Sequence, residues 1–434
     1  MKIRSLNNAT VIINSENCSL LIDPWLIGTL YGGAWSPFAM CNDLDFLKKV
    51  THVFISHIHE DHWDRETLIL LDREVQIFIP ELPINKVLKK YIEDLGFSNV
   101  KFVEPYKKKI LSDIDLTIIP PMNAFGQELG SYIEGYEYDA TNIDTSLLVE
   151  DKKNNTSHLF LCDNTPYDIK ILHNLNVDNL TSLWYPFNSY AQDFPVCYEL
   201  SEENKKDIHE KMHRKRKEAI EKCVAFLKPK FYLPHSADFI LNGPFSKSFE
   251  DYTSVEYMDR KLVANTYSFQ DITCSKSEYA DYGDEIESSS EGELNIRRNI
   301  YPFELLSSTS LLNQFQSSPI RNEPEVLENA FSEMLNRCDR LKIDLSPASD
   351  WLLKLVVENN KYIFSYKNYR LIGENEQDSS YKTLTIMISR NQLAALMSRE
   401  LHWNNAQIGC HLKVKRVPNE YCEALYKSLN FLHM

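Results

Sequence analysis

Residues 9–23 carry two aliphatic runs, the β-branched Val11-Ile12-Ile13 and Leu20-Leu21-Ile22, on either side of a polar Asn14-Ser15-Glu16-Asn17 turn. That alternation predicts a hairpin whose second strand ends at Asp23-Pro24-Trp25. The segment Leu44 to Val50 precedes a short buried strand, Val53-Phe54-Ile55, and from there strands and helices alternate. Periodicity predicts helices over 65–71 and 84–95 and strands over 75–79, 116–119 and 146–150. The apolar run Leu159-Phe160-Leu161-Cys162 stops at an acid, Asp163. A long charged helix is expected over 201–227, with Ser201 as its N-cap, followed by a strand Phe231-Tyr232-Leu233 that stops at Pro234-His235. Polar residues gathered at strand ends indicate a layered α/β domain, residues 1–250, with a site at one sheet edge. Residues 251–320 are acidic and Ser-rich, which reads as a linker or an ordered excursion. Residues 321–434 fit a small α+β domain. Its helices are expected over 325–338 and 391–401, and its strands over 351–357, 362–366, 384–388 and, facing solvent, 411–417.

Composition narrows the partners. Of 434 residues, 43% are apolar and 25% charged, so the chain folds rather than staying disordered. A net charge of −15 argues against general attraction to a nucleic-acid polymer or an anionic bilayer. No apolar run reaches the roughly 18 residues of a membrane span, and the N-terminus lacks a signal-peptide pattern, so the expected location is cytoplasmic. The nine cysteines form no Cys-x-x-Cys, which points to reduced thiols. Neither Cys-x-His nor Cys-x-x-His occurs, so a Rieske cluster has no ligands here.

The chemistry concentrates in His57-Ile58-His59-Glu60-Asp61-His62, directly after the buried strand. Three imidazoles and an aspartate within six residues suit Zn²⁺ or ferrous iron, and packing gives them no reason to converge. This His-x-His-x-Asp-His signature resembles that of the metallo-β-lactamase family. The resemblance implies a four-layer αββα sandwich holding one or two metal ions at the sheet edge. It further implies that Asp163 is the bridging ligand, that His235 is the final histidine, and that Asp23 orients the metal loop. Where the family has a middle histidine, residues 121–145 contain none. Asp139, Asn142, Asp144 or water remain as substitutes. The set Asp61, His62, Asp163 and His235 is complete, whereas His57, His59 and Asp163 are one ligand short.

Further segments extend the likeness: Asp23-Pro24-Trp25-Leu26-Ile27-Gly28, Gly33-Ala34-Trp35, Ile143-Asp144-Thr145, and Leu401-His402-Trp403-Asn404-Asn405-Ala406-Gln407-Ile408-Gly409. They are similar to the metallo-β-lactamase part of the CMP-N-acetylneuraminic acid hydroxylase group, without that group's Rieske domain. This chain has His235 where the hydroxylase lacks the final histidine, and Ala140 where the hydroxylase has its middle one.

The expected activity is therefore metal-dependent hydrolysis of an anionic, sugar- or phosphate-containing small molecule. One or two zinc ions would activate water, and Asp61 and Asp163 would hold it or take its proton. Asn188 and Tyr190, in the aromatic loop 185–195, are candidate substrate donors. One alternative is an iron-dependent nucleotide-sugar hydroxylase served by a separate redox partner; the other is a non-catalytic metal-binding module. Trp25 and Trp35 read as core, and His213-Arg214-Lys215-Arg216-Lys217 as a solvated basic helix face. The C-terminal domain is expected to enclose substrate or to support a homo-oligomer.

Overall fold

The computed structural model describes residues 1–122, 143–175, 177, 179–187, 193–236, 238–246, 259–267, 269, 274–300, 303–305, 320–376 and 380–434. The predicted hairpin forms, with Val11–Asn14 antiparallel to Ser19–Ile22. It sits inside an eight-stranded sheet that runs, in spatial order, Leu294–Arg297, Glu285–Ser288, Lys2–Ser5, Val11–Asn14, Ser19–Ile22, His52–Phe54, Gln76–Pro80 and Val100–Val103. From Ser19–Ile22 onward its strands are parallel. A second, seven-stranded sheet runs Lys276–Ser277, Phe231–His235, Ser182–Pro186, Thr156–Phe160, Ser146–Asp151, Ile114–Ile119 and Lys109–Leu111.

Two-residue periodicity decides how the sheets pack. In the hairpin, Val11, Ile13, Leu20 and Ile22 point between the sheets and meet Leu116, Phe160, Trp184 and Leu233. Their alternates Ile12 and Leu21, with Val53 and Ile77, face outward and pack on Leu68, Leu88 and Ile92 of the helices Arg65–Leu68 and Asn85–Asp94. On the other side Leu159, Leu183 and Tyr232 meet Ile220, Val224 and Val263 of the helices Glu202–Leu227 and Arg260–Thr266. Helix, sheet, sheet, helix is the four-layer αββα sandwich of the metallo-β-lactamase fold. Ser201 caps its helix as expected, its side chain accepting from the Asn204 N–H.

The acidic stretch is ordered wherever it is described. Glu285–Ser288 pairs with the strand Lys2–Ser5, and Ser289–Glu293 closes a hairpin onto Leu294–Arg297. It therefore extends the first sheet as an excursion of the sandwich. The basic run differs from the expected solvated face, because Arg216 is buried and Lys217 lies over the Tyr267 ring.

The C-terminal residues build a five-stranded sheet in the order Arg370–Ile372, Asn360–Ser365, Trp351–Val357, Lys382–Ile388 and Lys413–Val417. The helix Glu323–Arg340 buries Leu327, Phe331 and Met334 with it. The same core takes in Trp25, Tyr31, Trp35, Phe194 and Phe239 from the sandwich, so the two parts share apolar interior. Trp25 and Trp35 are core residues, as their sequence suggests. Among the described residues, no helix is long and apolar enough to cross a membrane.

Candidate metal centre

Strands Ser19–Ile22, His52–Phe54, Thr156–Phe160 and Phe231–His235 deliver their C-terminal ends to one edge of the sandwich. Parallel pairing of Ser19–Ile22 with His52–Phe54 sets Asp23 beside Ser56. One Asp23 carboxylate oxygen accepts from the Ser56 N–H at 2.7 Å. The other accepts from Ser56 Oγ and lies 2.8 Å from His62 Nδ1. That contact fixes the His62 tautomer, so Nε2 is left to face the site. Nε2 lies 3.1 Å from Asp61 Oδ2 and 3.2 Å from Asp163 Oδ2.

His57 is oriented differently. Its Nδ1 lies 2.9 Å from Ser56 Oγ, and its Nε2 lies 2.8 Å from His59 Nδ1 and 3.3 Å from Asp144 Oδ1. Thr145 Oγ1 donates to the Ser56 carbonyl at 2.8 Å, which ties the Ile143-Asp144-Thr145 segment to the histidine loop and brings Asp144 to His57. Among the described residues two groups of donor atoms result, each within 4.8 Å: His57, His62 and Asp163, and His57, His59 and Asp144. Of the substitutes for the missing histidine, Asp144 is the one placed at the site. Asp139 and Asn142 lie outside the described residues, as do Asn188 and Tyr190.

Asp61 and His235 belong to neither group. Asp61 is fixed by two donors, Tyr31 Oη at 2.8 Å on one oxygen and Asn8 Nδ2 at 2.9 Å on the other, the latter being the oxygen 3.1 Å from His62 Nε2. His235 is buried, with Nε2 3.1 Å from the Ala9 carbonyl and Nδ1 buried without a hydrogen-bond partner. A carbonyl only accepts, so Nε2 carries the proton and Nδ1 presents a bare lone pair. Asp163 is completed by Ser236, whose Oγ donates to Oδ1 at 3.0 Å.

Electrostatics splits the imidazoles. Burial, reinforced by His62 and His59, holds the His57 pKa well below the ordinary histidine value. At His62 burial acts in the same direction, but Asp61, Asp163 and Asp23 outweigh it and hold the pKa well above that value. Despite its burial Asp163 is held far below the usual carboxylate range by His62, His57 and His59. Burial, with Arg260 nearby, lowers His235 to about 3, so it is neutral at physiological pH.

Sequence reasoning passed over the residues that brace this cluster. Arg260 is fully buried, ion-pairs with Asp238 at 2.8 Å, and donates to Ser5 Oγ, the Ala280 carbonyl and the Asn8 carbonyl. Asn8, whose φ is +46°, is thereby aimed at Asp61. Glu60 accepts from the Tyr31 N–H at 3.1 Å and from Asn405 Nδ2 at 2.5 Å. The polar pair Asn7-Asn8 and the Trp403–Gly409 segment were the available signals.

No family model matches the chain. In sequence it is 28% identical over 200 residues to a Mycolicibacterium smegmatis protein named as a Rieske 2Fe-2S iron–sulfur protein, covering 43% of this chain and 35% of that one. It is 24% identical over 258 residues to the cytidine monophosphate-N-acetylneuraminic acid hydroxylase of Xenopus laevis, covering 57% of this chain and 40% of the hydroxylase. The matched region thus spans between a third and two fifths of those curated relatives. Among solved structures, a Veillonella parvula protein described as a possible metal-dependent hydrolase superposes with a TM-score of 0.45 at 15% identity, covering 66% of this chain and 98% of that one. CmlA, a diiron β-hydroxylase from Streptomyces venezuelae, superposes with a TM-score of 0.42 at 15% identity, covering 65% and 53%. The chain resembles the metallo-β-lactamase-fold proteins and, in sequence, the hydroxylase group.

Proposed function

We propose that the chain is a metal-dependent hydrolase acting on an anionic, sugar- or phosphate-containing small molecule. The observation that carries this reading is the cluster in which His57, His62 and Asp163 crowd their donor atoms within 4.8 Å, together with the buried His235 Nδ1 lone pair on a ring that feels the charges of Asp163 and His62. A buried acceptor with no donor is costly, and three oriented imidazoles with carboxylates are a transition-metal donor set. His57, His59 and Asp144 would hold one ion, and His62, Asp163 and His235 a second, with Asp163 between them and Asp61 at the margin. A bound ion supplies a water of near-neutral pKa and a Lewis acid for the scissile group. Asp163, which accepts from Ser236 on its far oxygen, would stay ionised and turn Oδ2 toward the ions and their water. Asp61, fixed by Tyr31 and Asn8, keeps a carboxylate facing His62. Zinc is the expected metal, and an anionic substrate would be drawn to the positive centre.

The sequence likeness to a hydroxylase supports a second reading, in which the same residues hold iron and a separate redox protein supplies electrons. Three carboxylates among the donors suit ferrous iron as well as zinc. Metal analysis of protein purified anaerobically without chelators separates the two. Zinc, together with turnover of phosphodiester or nucleotide-sugar substrates, supports hydrolysis. Iron with reductant-dependent O₂ consumption replaces it with the hydroxylase, and a chain retaining no metal overturns both.

A further inference from the structure

The turn that carries Asp61 and His62, Glu60–His62, has His59 at its N-cap and no side-chain hydrogen bond capping it. Beyond its own backbone hydrogen bonds, it is held by side-chain contacts from elsewhere in the chain. Glu60 supplies the handle: both carboxylate oxygens are bonded, one to the Tyr31 N–H and the other to Asn405 Nδ2. Tyr31 is in turn pinned at its carbonyl by His411 Nε2 at 2.6 Å, and its hydroxyl reaches Asp61. Asn405 lies on the helix Trp403–Ile408, which is fastened to the C-terminal domain by Trp403 Nε1 donating to the Leu432 carbonyl at 2.7 Å. The helix is also seated against the sandwich. Trp35 Nε1 donates to the Ile408 carbonyl, and a Cβ on Gly409 would lie 2.8 Å from the Ala34 Cβ. Opposite, a Cβ on Gly243 would fall 1.9 Å from the Gly409 carbonyl oxygen, so the two backbones touch where only glycine fits.

We infer that the segment Trp403–His411 is a working part of the metal centre: Asn405 positions Glu60, His411 positions Tyr31, and together they hold Asp61 against His62. This rests on the metal reading above. It assigns the C-terminal domain a role in building the site, and it makes Asn405 and His411 positioning residues, neither of which is itself a ligand.

The test is zinc affinity, measured by competition with a chromophoric chelator on the full chain. The wild type is compared with Asn405→Ala, with Gln407→Ala and with the double variant Glu60→Gln/Asn405→Asp. Gln407 lies on the same helix and bonds Tyr198 Oη, so it serves as the comparison for damage to the helix. Loss of an outer-shell partner typically costs ten- to a hundredfold in metal affinity. Asn405→Ala should weaken zinc binding about tenfold, while Gln407→Ala leaves it within about twofold. The double variant reverses donor and acceptor across the same contact and should recover most of the loss even if Asn405→Ala folds poorly. Equal affinities in wild type and Asn405→Ala, equal losses in Asn405→Ala and Gln407→Ala, or no recovery in the double variant would each overturn the inference. A wild-type chain that takes up no zinc or iron(II) overturns the metal reading beneath it.

Discussion

His57 and His62 are both fully buried, their rings 4.0 Å apart, yet they are driven to opposite charge states. His57 faces a serine hydroxyl, another imidazole and, at 3.3 Å, the carboxylate of Asp144. His62 faces Asp23, Asp61 and Asp163, all closer than that. In the metal-free chain a protonated His62 serves as the counter-ion for three acids, whereas His57 is a neutral donor already suited to an ion. Residue type alone does not assign these roles; the strand ends that bring three carboxylates to one side do.

The comparison breaks first on stability. Removing one partner of a buried charge cluster leaves the others uncompensated, at a cost of about 3–5 kcal/mol. His62→Ala should lower the urea-unfolding free energy of metal-free protein by that amount, and His57→Ala by clearly less. Equal losses would mean the two rings sit in equivalent fields. Metal binding comes next: Asp23→Ala removes the acceptor that orients His62 and should weaken zinc about 10- to 100-fold. Asp144→Ala should instead reduce the stoichiometry from two ions to one, read by titration to saturation.

Acidity sharpens the contrast with a sign for each ring. His57 is neutral when folded and titrates near 6.5 when unfolded, so below that pH the unfolded chain binds the extra proton and stability falls. His62 has a raised folded pKa. Its contribution is fully present below 6.5 and disappears as pH rises through the folded value. In metal-free protein His57→Ala should therefore flatten the acid limb of the stability profile and His62→Ala the alkaline limb. The smallest change is Ser236→Ala, which deletes one hydrogen bond to Asp163 and should cost about 1 kcal/mol, roughly fivefold in zinc affinity.

Much of this was legible in sequence, for local reasons. β-branched alternation gave the hairpin, and the apolar runs ending at Asp163 and His235 marked the edge where the site lies. Asp144 was accessible too, because a missing histidine left a short list of substitutes. What escaped depends on distant contacts. Glu285–Ser288 looks like linker because only Ile286 among its residues is a buried aliphatic, and its strand character comes from pairing with Lys2–Ser5. Asn8, Tyr31, Glu60 and Arg260 are ordinary polar residues until folding sets them around Asp61. Arg216 was misread for the same reason: a basic run predicts solvent, but the tertiary fold buries it, near enough to Tyr267 for its charge to act on that phenol.

The contact between Glu60 and Asn405 joins residues 345 positions apart. At a synthesis rate of about 5–20 residues per second, the ribosome delivers Asn405 roughly 17–70 s after the histidine loop. Throughout that interval the His-x-His-x-Asp-His turn has its contacts to Asn8, Asp23 and Tyr31, and one Glu60 oxygen lacks its Asn405 donor. The contact can therefore form only after residue 405 has been made, and a ribosome stalled before it would display a histidine loop that lacks this brace.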